Sequence, residues 1–166
     1  MGEWEERKKL GRESCERLKK RLQASRYIVE DIGSEKWLSP AFRKNIRYVH
    51  NNTTIDFIRY FPDLIIYKNG ITKLVEVKAT LPEHRAGDNF SIETACLEND
   101  KKLCGIGINV FIVFENYPNE FFGNRADLIK PFRSVSHELS KNYKGSGTPM
   151  SLIKKSSVPK LGPKKA

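Results

Sequence analysis

Residues 61–78 read FPDLIIYKNGITKLVEVK, and this stretch decides the fold because it specifies a tight β-hairpin. Asn69 and Gly70 lie between two apolar runs that are rich in Leu, Ile, Tyr and Val. An Asn-Gly pair in this setting favours a two-residue turn, since both central positions need a positive φ. The sequence therefore predicts two antiparallel strands joined at these two residues.

The register that follows from this turn brings three charged side chains together. Asp63 lies opposite Glu76, and like charges in such a cross-strand pair are destabilising. Lys78 is two residues beyond Glu76 and shares its face, whereas Val75 and Val77 point to the other face. The other side chains near this end are apolar, so we expect the hairpin to be buried on both faces. Two acids and one lysine therefore converge in apolar surroundings.

A divalent cation suits this cluster of charges. Mg²⁺ takes oxygen ligands, usually one or two carboxylates together with waters and phosphate oxygens. Bound by Asp63 and Glu76, it would offset their repulsion, polarise a phosphoryl oxygen and make a bound water more acidic. Lys78 would hold the attacking water or offset the charge that develops on the phosphate. The pattern predicts metal-assisted phosphodiester hydrolysis, in which Mn²⁺ can replace Mg²⁺.

The alternative for the same residues is a cross-strand ion pair on a solvated face of the sheet. Ile65 and Leu74 also lie on that face, and a solvated face would not carry both of them.

Pro62-Asp63, the hairpin and Glu76-Val77-Lys78 resemble the PD-(D/E)xK nuclease signature. The whole run resembles small resolvases of the archaeal Holliday-junction type and related phage nucleases. The resemblance implies an α/β fold with a restriction-endonuclease-like core, in which helices flank a central mixed β-sheet. It also implies a Mg²⁺-dependent DNA endonuclease in which Asp63, Glu76 and the backbone carbonyl of Val77 bind the metal. Asp63, Glu76 and Lys78 would be the catalytic residues.

Substrate and assembly follow from the same resemblance. Resolvases of this type act on branched DNA and commonly work as homodimers, so both properties are expected here. Many relatives also place an acidic metal ligand on the first helix, where Glu13 and Glu16 are the candidates. Each of these glutamates lies off the apolar stripe of that helix and can equally be a solvated partner of a nearby lysine or arginine.

Two other functions remain open. A site-specific nuclease of the restriction or homing type would read bases with residues 33–53, which look like an insertion and contain Arg43, Lys44 and Arg47 among aromatic residues. A surface loop covering the core is the other interpretation of that segment. A catalytically silent nucleic-acid-binding module is the third function, but such proteins usually lose an acid or the lysine.

Composition and charge agree with a nucleic-acid partner. The chain has 166 residues and a formal net charge of +10, which favours binding to a polyanion. We expect one nuclease-like domain over residues 1–140, followed by a basic and flexible tail at 141–166 that contains no acid. This tail either contacts the phosphate backbone, which we favour, or only aids solubility. No apolar run is long enough to span a bilayer, and the N-terminus lacks an apolar signal core, so an intracellular, cytoplasmic location is expected. The three cysteines have no metal-type spacing and are expected to be reduced.

The elements around the hairpin are predicted from periodicity. Residues 4–23 form a helix with an apolar stripe, and residues 26–32 form a strand. A second helix begins at an N-cap at Ser91 and ends near Leu103, and residues 108–114 form a strand buried on both faces and parallel to the strand of Glu76. Residues 116–140 are interpreted as peripheral helix and loop.

Three polar residues near the predicted site have two interpretations each. His84 is a loop histidine or a proton-transfer group. Glu93 is a charge at a helix N-terminus or a further acid near the metal. Asp56 belongs to a loop or supports the site from behind.

Overall fold

The hairpin forms with the predicted turn and register. The structure, a computed structural model, describes residues 2–46, 49, 52–80, 88–136 and 148–162. In it, the two hairpin strands are Leu64–Lys68 and Ile71–Thr80. Asn69 and Gly70 have φ values of 51° and 79°, and Ile65 pairs with Leu74 as predicted.

Helices and strands alternate irregularly along the described chain. The helices are α1 (Glu3–Ala24), α2 (Ser34–Trp37), α3 (Pro40–Ile46), α4 (Thr53–Arg59) and α5 (Thr94–Gly105). The strands are β1 (Ile28–Asp31), β2 (Leu64–Lys68), β3 (Ile71–Thr80), β4 (Asn89–Glu93), β5 (Val110–Asn116), β6 (Glu120–Arg125), β7 (Arg133–Ser136), β8 (Pro149–Lys154) and β9 (Lys160–Leu161). Two short 3₁₀ helices cover Ala126–Leu128 and Lys155–Ser157.

Six strands form a central mixed sheet in the order β1-β2-β3-β5-β6-β9. The pair β3 and β5 is parallel, as predicted, and the other neighbours in this sheet are antiparallel. Strands β4, β8 and β7 form a second, antiparallel sheet. The fold is therefore α/β with a central mixed sheet flanked by helices, as the sequence predicts.

Both faces of the central sheet are covered. Helix α1 packs on one face through the predicted stripe, where Leu18 is buried and Cys15 and Leu22 pack against the strands. Helix α5 and the second sheet cover the other face and bury Leu97 and Phe114 there. Because a strand covered on both sides needs apolar residues at successive positions, β5 reads as one continuous apolar run.

A buried ion pair ties α1 to the central sheet. The Arg17 guanidinium donates to both carboxylate oxygens of Glu115 at 2.7 Å each. The side chain of Glu115 is fully buried at the end of β5, so its charge is compensated mainly by this fork-shaped contact. Burial acts to raise the pKa of Glu115, but the bonds from Arg17 and other donors outweigh it and lower the pKa.

Two predictions about local structure are wrong. Ser91 is not an N-cap, because β4 occupies its position and pairs it with Leu152, and α5 begins three residues later. Residues 116–140 are not peripheral, since β6 lies inside the central sheet and buries Phe121 and Phe122 on opposite faces. The burial pattern of β4 alternates with the period of a strand, and its partner β8 lies far along the chain, whereas β6 pairs with the preceding β5 across a short turn.

The predicted flexible tail is also folded over most of its described part. Strand β8 buries Leu152 and Ile153, and β9 closes the edge of the central sheet beside β6. Lys155 and Lys160 make ion pairs with Asp88 at 3.6 Å and with Glu120 at 2.6 Å. Low apolar content predicted disorder. Instead, β8 pairs with β4 and β7, and β9 pairs with β6, so these short strands are held by partners elsewhere in the chain.

The described part of the segment 33–53 contains two short helices, α2 and α3, joined by non-helical residues, and it ends at the start of α4. Residues 47, 48, 50 and 51 and residues 81–87, which include Arg47 and His84, lie outside the described part. None of the helices in the described ranges is long and apolar enough to cross a membrane.

Candidate metal and catalytic site

Asp63 is held rigidly where β1 ends and β2 begins. Its backbone carbonyl accepts hydrogen bonds from the N–H groups of Ile32 at 2.9 Å and Gly33 at 3.1 Å. Its carboxylate Oδ2 accepts a hydrogen bond from the N–H of Val77 in β3 at 2.8 Å. These three bonds fix the acid against the hairpin, so its position does not depend on a flexible loop.

Glu76 and Lys78 lie on β3 and face the same side of the sheet as α5. The Lys78 Nζ contacts the Glu76 Oε1 at 2.6 Å. The Glu76 side chain is 6% exposed, whereas the Lys78 side chain is 29% exposed. Lys78 can therefore meet a bound molecule from solvent while its partner stays buried. Hydrophobic residues line this region as expected, and Leu74 packs against the core on the same face.

Helix α5 adds two buried groups that the sequence reasoning missed. The Cys96 Sγ lies 3.5 Å from the Glu76 Oε1 and 4.0 Å from the Asp100 Oδ2. Glu76, Cys96 and Asp100 each offer one ligand atom, and these atoms lie within 4.8 Å of one another. Asp100 is completely buried, and among the described residues its Oδ1 has no hydrogen-bond partner.

A sequence signal for Asp100 did exist. Cys96 and Leu103 are apolar positions within the helix that the sequence predicts, and Asp100 follows Cys96 by four residues. Residues four apart lie on the same face of a helix, so this placement predicts a buried carboxylate. An aspartate on a buried face needs a partner or a function, because burying an unpaired charge is costly.

The electrostatics of the site show an excess of carboxylates. Burial, followed by the charge of Glu76, raises the pKa of Asp63 from 3.8 to about 7. The same two causes in the same order raise the pKa of Asp100 to about 8. Each carboxyl would ionise more readily if a further positive charge lay nearby.

The two other titratable groups respond to the same field. Burial would lower the pKa of Lys78, but the negative charges of Cys96, Glu76 and Asp63 together raise it well above its ordinary value. Burial, and then the charge of Glu76, raises the pKa of the Cys96 thiol. Lys78 is therefore a stable cation, and one cation faces three carboxyl groups.

The donor set fits a divalent cation. Among the described residues, the three carboxyl groups would carry more negative charge than the Lys78 ammonium offsets once all of them are ionised, and the bare Oδ1 of Asp100 is a buried acceptor. Carboxylate oxygens are the ligands that Mg²⁺ and Mn²⁺ prefer, while a thiol nearby widens the range of metals. Asp63 and Glu76, the two predicted ligands, lie close enough for their charges to affect each other.

The predicted acids of the first helix do not join this group. Glu13 is exposed and lies 3.8 Å from Lys9 and 3.9 Å from Arg17, and Glu16 lies 3.4 Å from Lys19. Both glutamates are therefore exposed partners of basic residues on the same helix, not ligands at the site. Cys15 of α1 does lie near Asp63. Burial, and then the charge of Asp63, raises the pKa of the Cys15 thiol to about 12.

Asp56 and Glu93, the other acids considered for the site, contact residues outside the Glu76 cluster. Asp56 pairs with Arg59 within α4 at 3.7 Å, and the charge of Glu93 acts on Tyr60, whose pKa is raised first by burial. The N–H of Val77 is used by Asp63, while a metal contact from its carbonyl stays a prediction. All three cysteines are free thiols, as expected.

An aromatic surface adjoins the site. Phe61 precedes Asp63 by two residues, and its ring contacts Trp37 at 6.2 Å and Phe57 at 5.4 Å between centroids, both edge to face. Trp37 is 52% exposed and Phe57 is 39% exposed. We call Trp37, Phe57 and Phe61 the aromatic patch. Arg43 of α3 lies 3.8 Å from Glu35 of α2, whose charge also acts on Asp63, so basic side chains lie close to this patch.

Comparison with known proteins gives a fold but no family. No protein-family model matches the chain, and no curated protein matches it either. Among solved structures, the chain is similar to Hjc from Archaeoglobus fulgidus, a Holliday junction resolvase from an archaeal hyperthermophile. The TM-score is 0.51 at 10% sequence identity, and the match covers 90% of this chain and 95% of that one. The neighbour shows that this is a restriction-endonuclease-like fold.

Proposed function

We propose that this protein is a nuclease that hydrolyses phosphodiester bonds in DNA with the help of a divalent cation. The observation that carries the proposal is the convergence of Asp63, Glu76 and Lys78 at one end of the β2-β3 hairpin. Two carboxylates and an amine in this order are the chemical groups that metal-assisted hydrolysis requires. Membership of the PD-(D/E)xK nucleases is part of the same proposal.

The carboxylates would hold Mg²⁺ or Mn²⁺. When bound, such a cation polarises a phosphoryl oxygen and makes a coordinated water more acidic. Asp63 is oriented for this task by the bond from Val77, and Glu76 by its contact with Lys78. The raised pKa of Asp63 means that a cation would displace a proton near neutral pH, so metal binding should strengthen as pH rises.

Lys78 would act on the reacting groups. Its contact with Glu76 keeps the ammonium in one place, and its partial exposure lets it face a phosphate or an attacking water. Because its pKa is raised, it stays protonated and is suited to stabilise negative charge that develops on the phosphate. In this arrangement a water rather than a protein side chain is the nucleophile.

Branched DNA is the substrate that we propose. The formal charge of +10 favours a polyanion without regard to its sequence. The aromatic patch offers partly exposed rings beside Asp63, and bases stack on such rings when they are not already stacked in a duplex. At a branch point, the terminal base pairs of the arms have free faces wherever two arms do not stack on each other. The solved neighbour, a Holliday junction resolvase, agrees with this choice.

A homodimer is a further part of the proposal. Resolution of a four-way junction into two duplexes needs two cuts on two strands, and one copy of the chain carries one candidate site. Two copies bound to one junction would supply both sites. Light scattering of the protein with and without a junction would measure the stoichiometry.

The test is a cleavage panel with matched substrates. Labelled linear, nicked and four-way DNA of the same base composition are incubated with Mg²⁺, with Mn²⁺ and with a chelator. We expect metal-dependent cutting that is fastest on the four-way substrate. Lys78→Ala, Glu76→Gln and Asp63→Asn should lose at least roughly 100-fold in rate while DNA affinity is retained.

Matched variants separate chemistry from general charge effects. Lys73→Ala changes a lysine of the same strand that lies over the Phe111 ring, and Glu120→Gln changes a surface glutamate that pairs with Lys160. Both should cut like the wild type. Tight binding without metal-dependent cutting of any substrate would overturn the nuclease and indicate a binding module. Cutting of linear duplex at one sequence would overturn the branched substrate and indicate a site-specific nuclease.

A further inference from the structure

We infer that Glu76, Cys96 and Asp100 form a mixed oxygen and sulfur site that takes a thiophilic divalent cation such as Zn²⁺. The inference deepens the proposed metal site, because it assigns two further ligands on α5 and a cation class that Asp63 and Glu76 alone would not select. Its effect on cleavage rests on the proposed function, but the binding itself does not.

The spacing of the three donor atoms carries the inference. A sulfur and an oxygen ligand around tetrahedral Zn²⁺ lie about 3.6 Å apart, given bonds of roughly 2.3 and 2.1 Å. The Cys96 Sγ lies 3.5 Å from the Glu76 Oε1 and 4.0 Å from the Asp100 Oδ2. The two sulfur-oxygen distances bracket the expected value, and all three ligand atoms lie within 4.8 Å of one another, so a cation between them needs only small side-chain adjustments.

An independent observation points to a ligand at the same place. Asp100 is fully buried, and within the described chain its Oδ1 has no hydrogen-bond partner. A buried carboxylate oxygen without a partner is destabilising unless a cation or an ordered water meets it. The other oxygen of the same carboxyl group, Oδ2, lies 4.0 Å from the Cys96 thiol, and the charge of Glu76 acts on this group, so two further metal-binding groups are close by.

Helix geometry keeps the two α5 ligands together. Cys96 and Asp100 are four residues apart on a buried face, and Leu97 and Leu103 anchor that face in the core. The helix therefore presents both ligands as one rigid unit toward Glu76. Thiolate ligands favour Zn²⁺ over Mg²⁺, because Mg²⁺ prefers oxygen and binds sulfur weakly.

Binding of the cation changes the bonds of the site in a defined way. The thiol of Cys96 loses its proton to solvent, and a Cys96 sulfur-metal bond forms. The Glu76 Oε1 now shares its negative charge between the cation and the Lys78 ammonium, which lies 2.6 Å away. Glu76 is then less able to hold Mg²⁺ with Asp63, so Zn²⁺ should inhibit cleavage that depends on Mg²⁺.

The test uses the full chain and adds Cd²⁺ or Co²⁺ as a spectroscopic substitute for Zn²⁺. A thiolate bound to either ion gives a charge-transfer absorption that carboxylates do not give. We expect one equivalent of ion to produce this absorption in the wild type, and Zn²⁺ to displace it. Cys96→Ser should abolish the absorption, and Asp100→Asn should retain the band but weaken ion affinity at least roughly tenfold.

The other two cysteines supply the controls. Cys104 lies on the same helix and donates to the Val110 carbonyl at 3.7 Å, and Cys15 lies on α1 near Asp63. Cys104→Ser and Cys15→Ser should both keep the absorption. Thermal unfolding of each variant checks that it folds, and Asp100→Asn tests the site while leaving the thiol in place.

The outcomes separate this inference from the nuclease proposal. Absence of the absorption in folded wild type, or its survival in Cys96→Ser, overturns the mixed site whatever the cleavage panel gives. If the protein cuts DNA, inhibition by Zn²⁺ is measured for each protein as a fraction of its own Mg²⁺-dependent rate. The Zn²⁺ concentration that gives half-inhibition should be at least roughly tenfold higher for Cys96→Ser than for the wild type. An unchanged concentration would overturn the shared use of Glu76.

Discussion

Replacing Asp63 with asparagine should stabilise the metal-free protein, and the gain should grow as the pH rises. Burial and the charge of Glu76 raise the pKa of Asp63 to about 7, well above the ordinary 3.8. A carboxyl with a higher pKa in the folded state binds its proton more tightly there than in the unfolded chain. The free energy of unfolding of the wild type therefore falls as pH rises between these two values, and the loss is complete above the folded pKa.

The magnitude follows from the width of that window. Each pH unit between the two pKa values changes the free energy of unfolding by about 1.4 kcal/mol. From about pH 5 to the folded pKa of about 7, the free energy of unfolding of the wild type should fall by about 3 kcal/mol. Asp63→Asn lacks the titrating carboxyl group and should not show this fall. The asparagine oxygen can still accept the Val77 N–H bond, so the hairpin contact is kept in the variant.

Urea unfolding in the presence of a chelator, at about pH 5 and about pH 8, measures the difference between the two proteins at each pH. The control is Asp127→Asn, because the bond from Arg125 lowers the pKa of that exposed carboxyl and keeps it ionised at both values. Addition of Mg²⁺ at the higher pH should raise the stability of the wild type more than that of Asp63→Asn. The same stability difference at both pH values would refute the electrostatic reasoning.

Three further changes test the fold that positions the site. Arg17→Met should lower the free energy of unfolding by about 3–5 kcal/mol, because it leaves the Glu115 carboxylate buried without its partner, and chemical denaturation measures this loss. Phe114→Ala should cost about 3–5 kcal/mol in the same assay, since Phe114 is buried and stacks on another ring, whereas the exposed Phe132→Ala should cost less than about 0.5 kcal/mol. Gly70→Ala should lower stability by about 1 kcal/mol, because its φ of 79° is unfavourable for a residue with a Cβ; an unchanged melting temperature would contradict the assigned turn.

The predicted hairpin and its neighbours illustrate what local sequence can specify. Asn69-Gly70 determines the turn, and the turn determines which residues of the two strands are paired. The apolar run of β5 predicts burial on both faces, and the stripe of α1 predicts the helix face that packs on the sheet. In each case the signal lies within a few residues of the feature that it specifies.

The errors at Ser91 and in the C-terminal tail share one physical cause. Ser91 looks like a helix cap, yet its segment becomes a strand because β8, about 60 residues later, offers backbone partners. Strand β8 in turn looks too polar to fold, but it buries its apolar residues between β4 and β7. Pairing with a distant strand overrides the local conformational preference of a segment, and the sequence near β4 or β8 does not indicate which strand it will pair with.

The sequence by itself determined the hairpin and the meeting of Asp63, Glu76 and Lys78, because a two-residue turn leaves a single register for the strands beside it, and the family resemblance of these residues implied the fold class. Only the tertiary structure decided that α5 brings Cys96 and Asp100 against Glu76, and that Glu13 and Glu16 stay at the surface. The reason is that a helix's distance and rotation relative to a sheet are set by core packing among residues far apart in the chain.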